Sequence, residues 1–412
     1  MSTWRRIASI GALATKVTGA QLNARVRGAL RRVEDRSVAL EGVNVDNARR
    51  VVETLGQMKG AAMKMGQQLA IAAQNFEHLP DEVHTILGEL NASASPVPFS
   101  VIEAVLEREF EGDVVAIFSD ITPEPLGTAS LAQAHLARLA SSGEEVVVKV
   151  LHDGIEGSVK ADLMALKALL LGGRLLGRDA EEVSAVFSEL QARLEEELDY
   201  LQEAVNIAEF VRLFGDDPRV TIPRVYGVGS TGRVLTMDRV PGVPLAQFLE
   251  TSSSDVRQRA GLNLAELFFE MAFVHRTLHA DPHPGNYLFQ PDGRVSMLDF
   301  GCVKRFDEFW MGTYASAILA ALDGRREDLL TACRELGAWV GDDPRAGEII
   351  WKFCETVVGP WRDGPCKLDA NDMLKQTQPI VREMWRYREI RGPRDIIFLH
   401  RTLGGLYTLE AA

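Results

Sequence analysis

His279-Ala280-Asp281-Pro282-His283-Pro284-Gly285-Asn286 and, further on, Leu298-Asp299-Phe300-Gly301 are the two stretches that decide how this chain is read. Asp281 and Asn286 lie five residues apart, and Asp299 follows thirteen residues after the amide. Phosphoryl transfer asks little covalent chemistry of a protein. Metal ions neutralise the phosphates, and a carboxylate orients the attacking hydroxyl. Two carboxylates and an amide oxygen on neighbouring loops meet that need. Short motifs recur by chance, so either half alone also reads as a polar loop between apolar segments. Both halves, in this order and at this spacing, point to a site for a metal-bound nucleoside triphosphate.

Outward from these loops the pattern changes twice. Short strands are expected at Tyr287 to Phe289 and Val295 to Leu298, joined by Pro291-Asp292-Gly293. Residues 254–278 carry helical spacing, as does everything from about 307 to the end, with breaks near Gly359-Pro360 and Gly392-Pro393. Upstream, Pro241-Gly242 marks a hinge-like break. Before it, Val220 to Val228 and Arg233 to Asp238 read as a strand pair, after helices over 155–177 and 180–213. Ala134 to Leu139 and Glu145 to Leu151 flank Ser141-Ser142-Gly143-Glu144, a hairpin signal with glycine in the turn. Phe99 to Phe110 reads as a helix with Ser100 as its N-cap, after a linker over 91–98. Residues 1–95 read as helical.

The chain has 412 residues, 46% of them hydrophobic and 25% charged, a normal globular balance. Its four cysteines (302, 333, 354 and 366) form no C-x-x-C pair and no metal spacing, so no disulfide framework is expected. Cys302 reads as a small buried hydrophobe. The net charge of −13 argues against a nucleic-acid binder. Residues 1–33 nevertheless hold seven basic residues and no acid, which leaves −20 for the rest. With Trp4, Ile7, Ile10 and Leu13 among the arginines, this leader fits an anionic membrane surface, and it fits equally a solvated helix. No run of 18 uncharged apolar residues occurs, so membrane contact would be peripheral and a cytoplasmic location is expected.

Three further segments carry chemistry. Lys149 sits in Val146-Val147-Val148-Lys149-Val150, where a lysine is expensive to bury unless paired. Alternation leaves open that it lies on a solvent face. Glu195, Glu196, Glu197, Asp199 and Glu203 offer partners, and equally an ordinary solvated helix face. Lys64-Met65-Gly66-Gln67 follows Gly60-Ala61-Ala62 in a small-residue helix suited to close packing, although glycine there costs about 1 kcal/mol against alanine.

Together these pieces resemble the UbiB family of atypical kinases, also called the aarF-domain kinases. The matching motifs are K-x-G-Q at Lys64 to Gln67, Pro125-Leu126-Gly127-Thr128-Ala129-Ser130-Leu131-Ala132-Gln133-Ala134-His135, the strand lysine Lys149, E-x-D at Glu197 to Asp199, H-A-D-P-H-P-G-N and L-D-F-G. They run in the family's order over about residues 50–305. The tail from Pro393 to Gly405 is similar to the family's C-terminal segment.

The resemblance implies an α+β, bilobed, protein-kinase-like fold. Residues 1–95 would form a helical extension with the K-x-G-Q motif, 96–240 an N-lobe with the alanine-rich-type loop, and 241–412 a mostly helical C-lobe. It implies that Lys149 contacts the nucleotide phosphates and pairs with Glu203. Asp281 would be the catalytic-loop acid, and Asn286 and Asp299 would ligate Mg²⁺. Gly127, Thr128, Ala129 and Ser130 would form the phosphate loop, with Met237 near the adenine. Lys64, Gly66 and Gln67 would cap the acceptor site, with Lys64 pairing to Glu197 beside Asp199. Gly127-Thr128 departs from the family's run of alanines, and the C-terminal transmembrane helices of some members are not seen.

The resulting expectation is an ATP- and Mg²⁺-dependent kinase or ATPase. The resemblance links it to isoprenoid-quinone or other lipid metabolism, with a lipid or quinone precursor as partner. Two alternatives are a small-molecule phosphotransferase of the choline or aminoglycoside kinase type and a nucleotide-binding regulatory scaffold.

Overall fold

A computed structural model describes residues 96–129, 131–154, 198–362, 370–384, 386–387 and 389–410. In chain order the main elements begin with α1 (Phe99–Glu109), β1 (Phe118–Thr128), β2 (Ala132–Leu139), β3 (Glu145–Leu151) and α2 (Tyr200–Phe214). Next come β4 (Val220–Thr221), β5 (Val234–Asp238), α3 (Leu245–Thr251), α4 (Ser254–Phe269), β6 (Thr277–His279), β7 (Tyr287–Phe289), β8 (Val295–Met297) and β9 (Val303–Arg305). Five helices follow: α5 (Glu308–Leu322), α6 (Arg326–Glu335), α7 (Pro344–Val358), α8 (Ala370–Met384) and α9 (Arg394–Glu410). The architecture is mixed α+β, with an antiparallel sheet early in the described chain and helices late. It divides into two compact units, one of 1–204 with 225–239 and one of 205–224 with 240–412.

The first unit is built on an antiparallel sheet of order β1-β2-β3-β5. Period-two alternation decides its faces. Val146, Val148 and Val150 are fully buried, and against them pack Ile102, Val105 and Leu106, the i, i+3, i+4 stripe of α1. Each of those three helix side chains contributes about 2 kcal/mol by leaving water. Val147 and Lys149 therefore lie on the opposite face of β3. The β2–β3 turn has Gly143 at φ 73°, where a side chain would be strained. β1 tolerates Pro123 and Pro125 because it is an edge strand with bulged register.

The second unit holds two small sheets, β4-β8-β7 and β6-β9, among helices. One helical core joins Ala317, Ala320 and Ala321 of α5 to Leu329, Leu330 and Cys333 of α6 and Ala346 and Ile350 of α7. Alanines let these helices approach closely. Asp307 and Asp343 cap α5 and α7, each accepting a backbone N–H, at 3.1 and 2.9 Å.

Four sequence expectations are corrected. Pro98, not Ser100, occupies the N-cap position of α1, and no side chain caps it. Val220 to Val228 does not form a strand paired with 233–238. Only Val220–Thr221 is strand, parallel to β8, and Val225 makes a single bridge to Met237. Pro223 lacks the N–H a ladder needs, and β5 pairs with β3 instead. The helix over 254–278 ends at Phe269, passes through a π-turn at Glu270–Val274, and gives way to β6. Arg276 at φ 55° makes that break, and its carbonyl then accepts from Phe306 N–H at 2.8 Å. Cys302 is half-buried rather than buried.

Arg219 staples the second unit. It donates to Asp217 at 2.5 Å and Glu266 at 3.2 Å, and it pairs with Glu270. The Arg219 hydrogen bond holds the Asp217 carboxyl below its ordinary 3.8. Arg219→Ala is expected to cost about 2 kcal/mol, between the exposed and buried limits for ion pairs. A carboxyl depressed by folding adds stability above its unfolded pKa and loses it as pH falls through the folded value. Parental stability should therefore drop below about pH 4, and this part of the drop should shrink in Arg219→Ala. Urea melts at several pH values check both.

Candidate active site

In the first unit, β3 presents Lys149 away from the α1 core. Its Nζ donates to Glu203 Oε1 at 2.6 Å, and the two side chains are 14% and 4% exposed. The ammonium also lies 5.5 Å from the centre of the Tyr200 ring. Glu203 reaches it because Asp199 starts α2: the Asp199 carboxylate accepts Gln202 N–H at 3.0 Å as an N-cap.

The hairpin beside this pair ends at the expected phosphate loop. Gly127 and Thr128 are still strand, opposite Ala134 and Gln133, and the turn is closed by Ala129 N–H to Ala132 O at 2.8 Å. A Cβ on Gly127 would meet nothing within 4 Å, so its backbone faces open space. Gln133 and His135, which the sequence reading left without roles, form a buried polar clamp. His135 Nδ1–H donates to Thr122 O at 2.8 Å, so its Nε2 accepts from Gln133 Nε2 at 3.0 Å. Gln133 Oε1 accepts Val97 N–H at 2.9 Å. Met237 is 4% exposed on β5, and the chain passes into the second unit after Arg239.

In the second unit the two motif loops are knitted together. Asn286 Nδ2 donates to the Asp281 carboxylate at 2.9 Å and to its carbonyl at 3.1 Å. Leu298 N–H donates to Asn286 O and Ala280 N–H to Cys302 O, both at 2.9 Å. Asp299 Oδ1 accepts Gly301 N–H at 3.0 Å. His279 makes a further tie. Its Nε2 is 2.6 Å from Asp299 O, and a carbonyl can only accept, so Nε2 carries the proton. Nδ1 then accepts from the Tyr287 hydroxyl at 3.3 Å. Burial first, and the charge of Asp281 second, push the Tyr287 hydroxyl far above its ordinary pKa, so it remains a donor.

Phe300 is fully buried, its ring 5.1 Å from Phe210 and 5.6 Å from His279. Asn206 Nδ2 donates to Phe300 O at 2.8 Å, and its own oxygen accepts from Arg305 at 2.9 Å. His279 stood in the motif without a role, and Asn206, Phe210 and Tyr287 were not singled out. Tyr287 lies one residue past the motif. Asn206 is 94 residues from its partner, and no spacing rule reaches so far.

The donor set suits a hard cation. The Asn286 amide nitrogen is committed to Asp281, so its oxygen is the group that could serve a cation, as could the Asp299 carboxylate. Among the described residues no group of three His, Cys, Asp or Glu side chains forms a complete metal cage. Mg²⁺ needs none, since it takes one or two carboxylates and fills its shell with phosphate and water. Ser130, Lys64, Gly66, Gln67, Glu197 and the leader 1–33 lie outside the described residues.

Residues 89–332 match the ABC1 atypical kinase-like domain, more than half of the chain. The chain belongs to the ABC1/UbiB family of atypical kinases. Membership implies nucleotide binding and kinase or ATPase activity. The mitochondrial atypical kinase COQ8B of Rattus norvegicus is 29% identical over 98% of this chain and 76% of its own length. COQ8 of Saccharomyces cerevisiae is 28% identical over 91% of this chain and 74% of its own. The chain covers only 55% of the Caenorhabditis elegans coq-8 protein, at 27% identity. A solved structure of the Rv3197–erythromycin complex from Mycobacterium tuberculosis aligns with TM-score 0.62 and 27% identity, over 92% of this chain and 94% of that one. These relatives' names place the eukaryotic proteins in mitochondria, and others in chloroplasts. Among the described residues no helix is long and apolar enough to cross a membrane.

Proposed function

We propose that this ABC1/UbiB protein binds ATP with Mg²⁺ and acts as an atypical kinase or ATPase in isoprenoid-quinone or other lipid metabolism. The observation that carries the reading is the Asn286–Asp281 bond at 2.9 Å. It orients a carboxylate toward a hydroxyl or water and leaves an amide oxygen for a cation. In this reading Lys149, steadied by Glu203, holds the α- and β-phosphates, and the backbone around Gly127, Thr128, Ala129 and Ser130 meets phosphate oxygens. Met237 lies near the adenine. Asn286 and Asp299 hold Mg²⁺, which neutralises charge on the triphosphate. Asp281 orients the acceptor. Lys64, Gly66 and Gln67, with Glu197 and Asp199, restrict that acceptor to water or a lipid-like molecule. Names of COQ8 relatives support the quinone connection, and the basic leader 1–33 supports peripheral contact with anionic lipid from the cytoplasmic side.

The test is an ATP hydrolysis assay on the full chain with and without anionic liposomes, run beside a screen of soluble amino-alcohols. Magnesium-dependent hydrolysis that rises with liposomes is expected. Efficient phosphorylation of an amino-alcohol would replace the lipid reading with a choline-kinase-like one.

A further inference from the structure

The family match ends at residue 332, yet a later helix rests on the catalytic loop. A Cβ built on Gly405 of α9 would lie 2.3 Å from Cγ of Pro282 and 3.2 Å from its Cβ. Pro282 directly follows Asp281. The helix backbone therefore sits against the proline ring with no room for a methyl group. Gly404, one residue earlier, has nothing within 4 Å of its Cβ direction. Glycine inside a helix costs about 1 kcal/mol against alanine, so Gly405 opposes helix preference at the point of closest approach.

The helix is anchored ahead of that contact. Asp395 pairs with Lys304 of β9, the partner strand of β6, which leads into the loop. The Tyr314 hydroxyl of α5 is hydrogen-bonded to His400 Nε2 at 2.8 Å. Thr402 and Leu406 share a small, mostly apolar cavity with His279, Pro282 and Tyr287. A proline ring is rigid and fixes its own φ, so a push on Cγ shifts the backbone beside Asp281 instead of relaxing through a rotamer.

We propose that Gly405 is a positioning residue, through which α9 holds Pro282 and hence Asp281 in place for phosphoryl transfer. The proposal rests on the ATP reading above. Displacing a reacting group by about 1 Å can cost on the order of a hundredfold in rate.

The experiment uses the full chain and four variants: Gly405→Ala, Gly404→Ala, Pro282→Ala and the Gly405→Ala/Pro282→Ala double. Two readouts are taken, ATP hydrolysis (kcat and KM) and amide hydrogen exchange over residues 280–286. Gly405→Ala should lower kcat about tenfold or more, change KM for ATP less than about twofold, and speed exchange over the loop. Gly404→Ala should match the parent in both. In the Pro282→Ala background, where the nearest atom is gone, Gly405→Ala should cost less than about threefold. Equal losses in both backgrounds, or a Gly405→Ala indistinguishable from Gly404→Ala, would overturn the proposal. Should Gly405→Ala fail to fold, the double variant should fold, and its failure would also overturn it. A parent without ATP turnover would count against the ATP reading, while the exchange data would still decide the contact.

Discussion

Asp299→Asn is expected to reduce ATP turnover by about 10³-fold, or roughly 4 kcal/mol of transition-state stabilisation, with little change in stability. The substitution separates charge from shape. Asp299 Oδ1 accepts Gly301 N–H at 3.0 Å, and an asparagine oxygen can accept the same bond. The backbone oxygen of residue 299 still receives His279 Nε2–H. The turn, the buried Phe300 and the Asn206 bond to its carbonyl thus survive the loss of the negative charge. A metal ligand does most for phosphoryl transfer through that charge. Steady-state hydrolysis and a thermal melt, made on the same preparation, check the prediction. Unchanged turnover would mean that Asp299 is not a metal ligand.

Lys149→Met is expected to act on both stability and turnover. Glu203 is 4% exposed, and it would lose the charge-assisted bond from Lys149. Removing one member of a buried pair costs about 3–5 kcal/mol, because a desolvated charge is left uncompensated. Lys149→Met/Glu203→Leu should recover at least half of that loss, since apolar replacement of a buried pair is often neutral. Turnover should stay lost in both, because neither retains a cation for the phosphates. If the double variant recovered turnover along with stability, the lysine would be structural only. Urea unfolding with parallel hydrolysis assays separates these outcomes.

What the sequence allowed differs from place to place, and the reason is range. Lys149 was legible as a lysine in a β-branched strand, and period two put Val146, Val148 and Val150 together in the core. Whether its face was wet or paired depended on Glu203, 54 residues away, and only the family resemblance picked that acid from its neighbours. Asp281 and Asn286 are five residues apart, so their spacing drew attention to both, but the bond between them was not foreseen. The ties from His279 to Asp299 and from Asn206 to Phe300 join distant segments, and pattern reading has no hold on them. β6 and β9 are three residues each, too short to show alternation, and the π-turn before β6 looks like ordinary helix in its composition. Gly405 stood in the tail as one more glycine until its closeness to Pro282 was visible. The K-x-G-Q reading at Lys64 to Gln67 falls outside the described residues.

We propose that this chain binds ATP together with Mg²⁺, and that Lys149 and Asp299 each contribute to that binding. Titration calorimetry of the full chain with ATP tests it most directly, with Mg²⁺ and then with chelator. One ATP per chain should bind in Mg²⁺, with affinity falling about tenfold or more on chelation, in Asp299→Asn and in Lys149→Met. No heat of binding, or an affinity indifferent to the metal and to both substitutions, would contradict it.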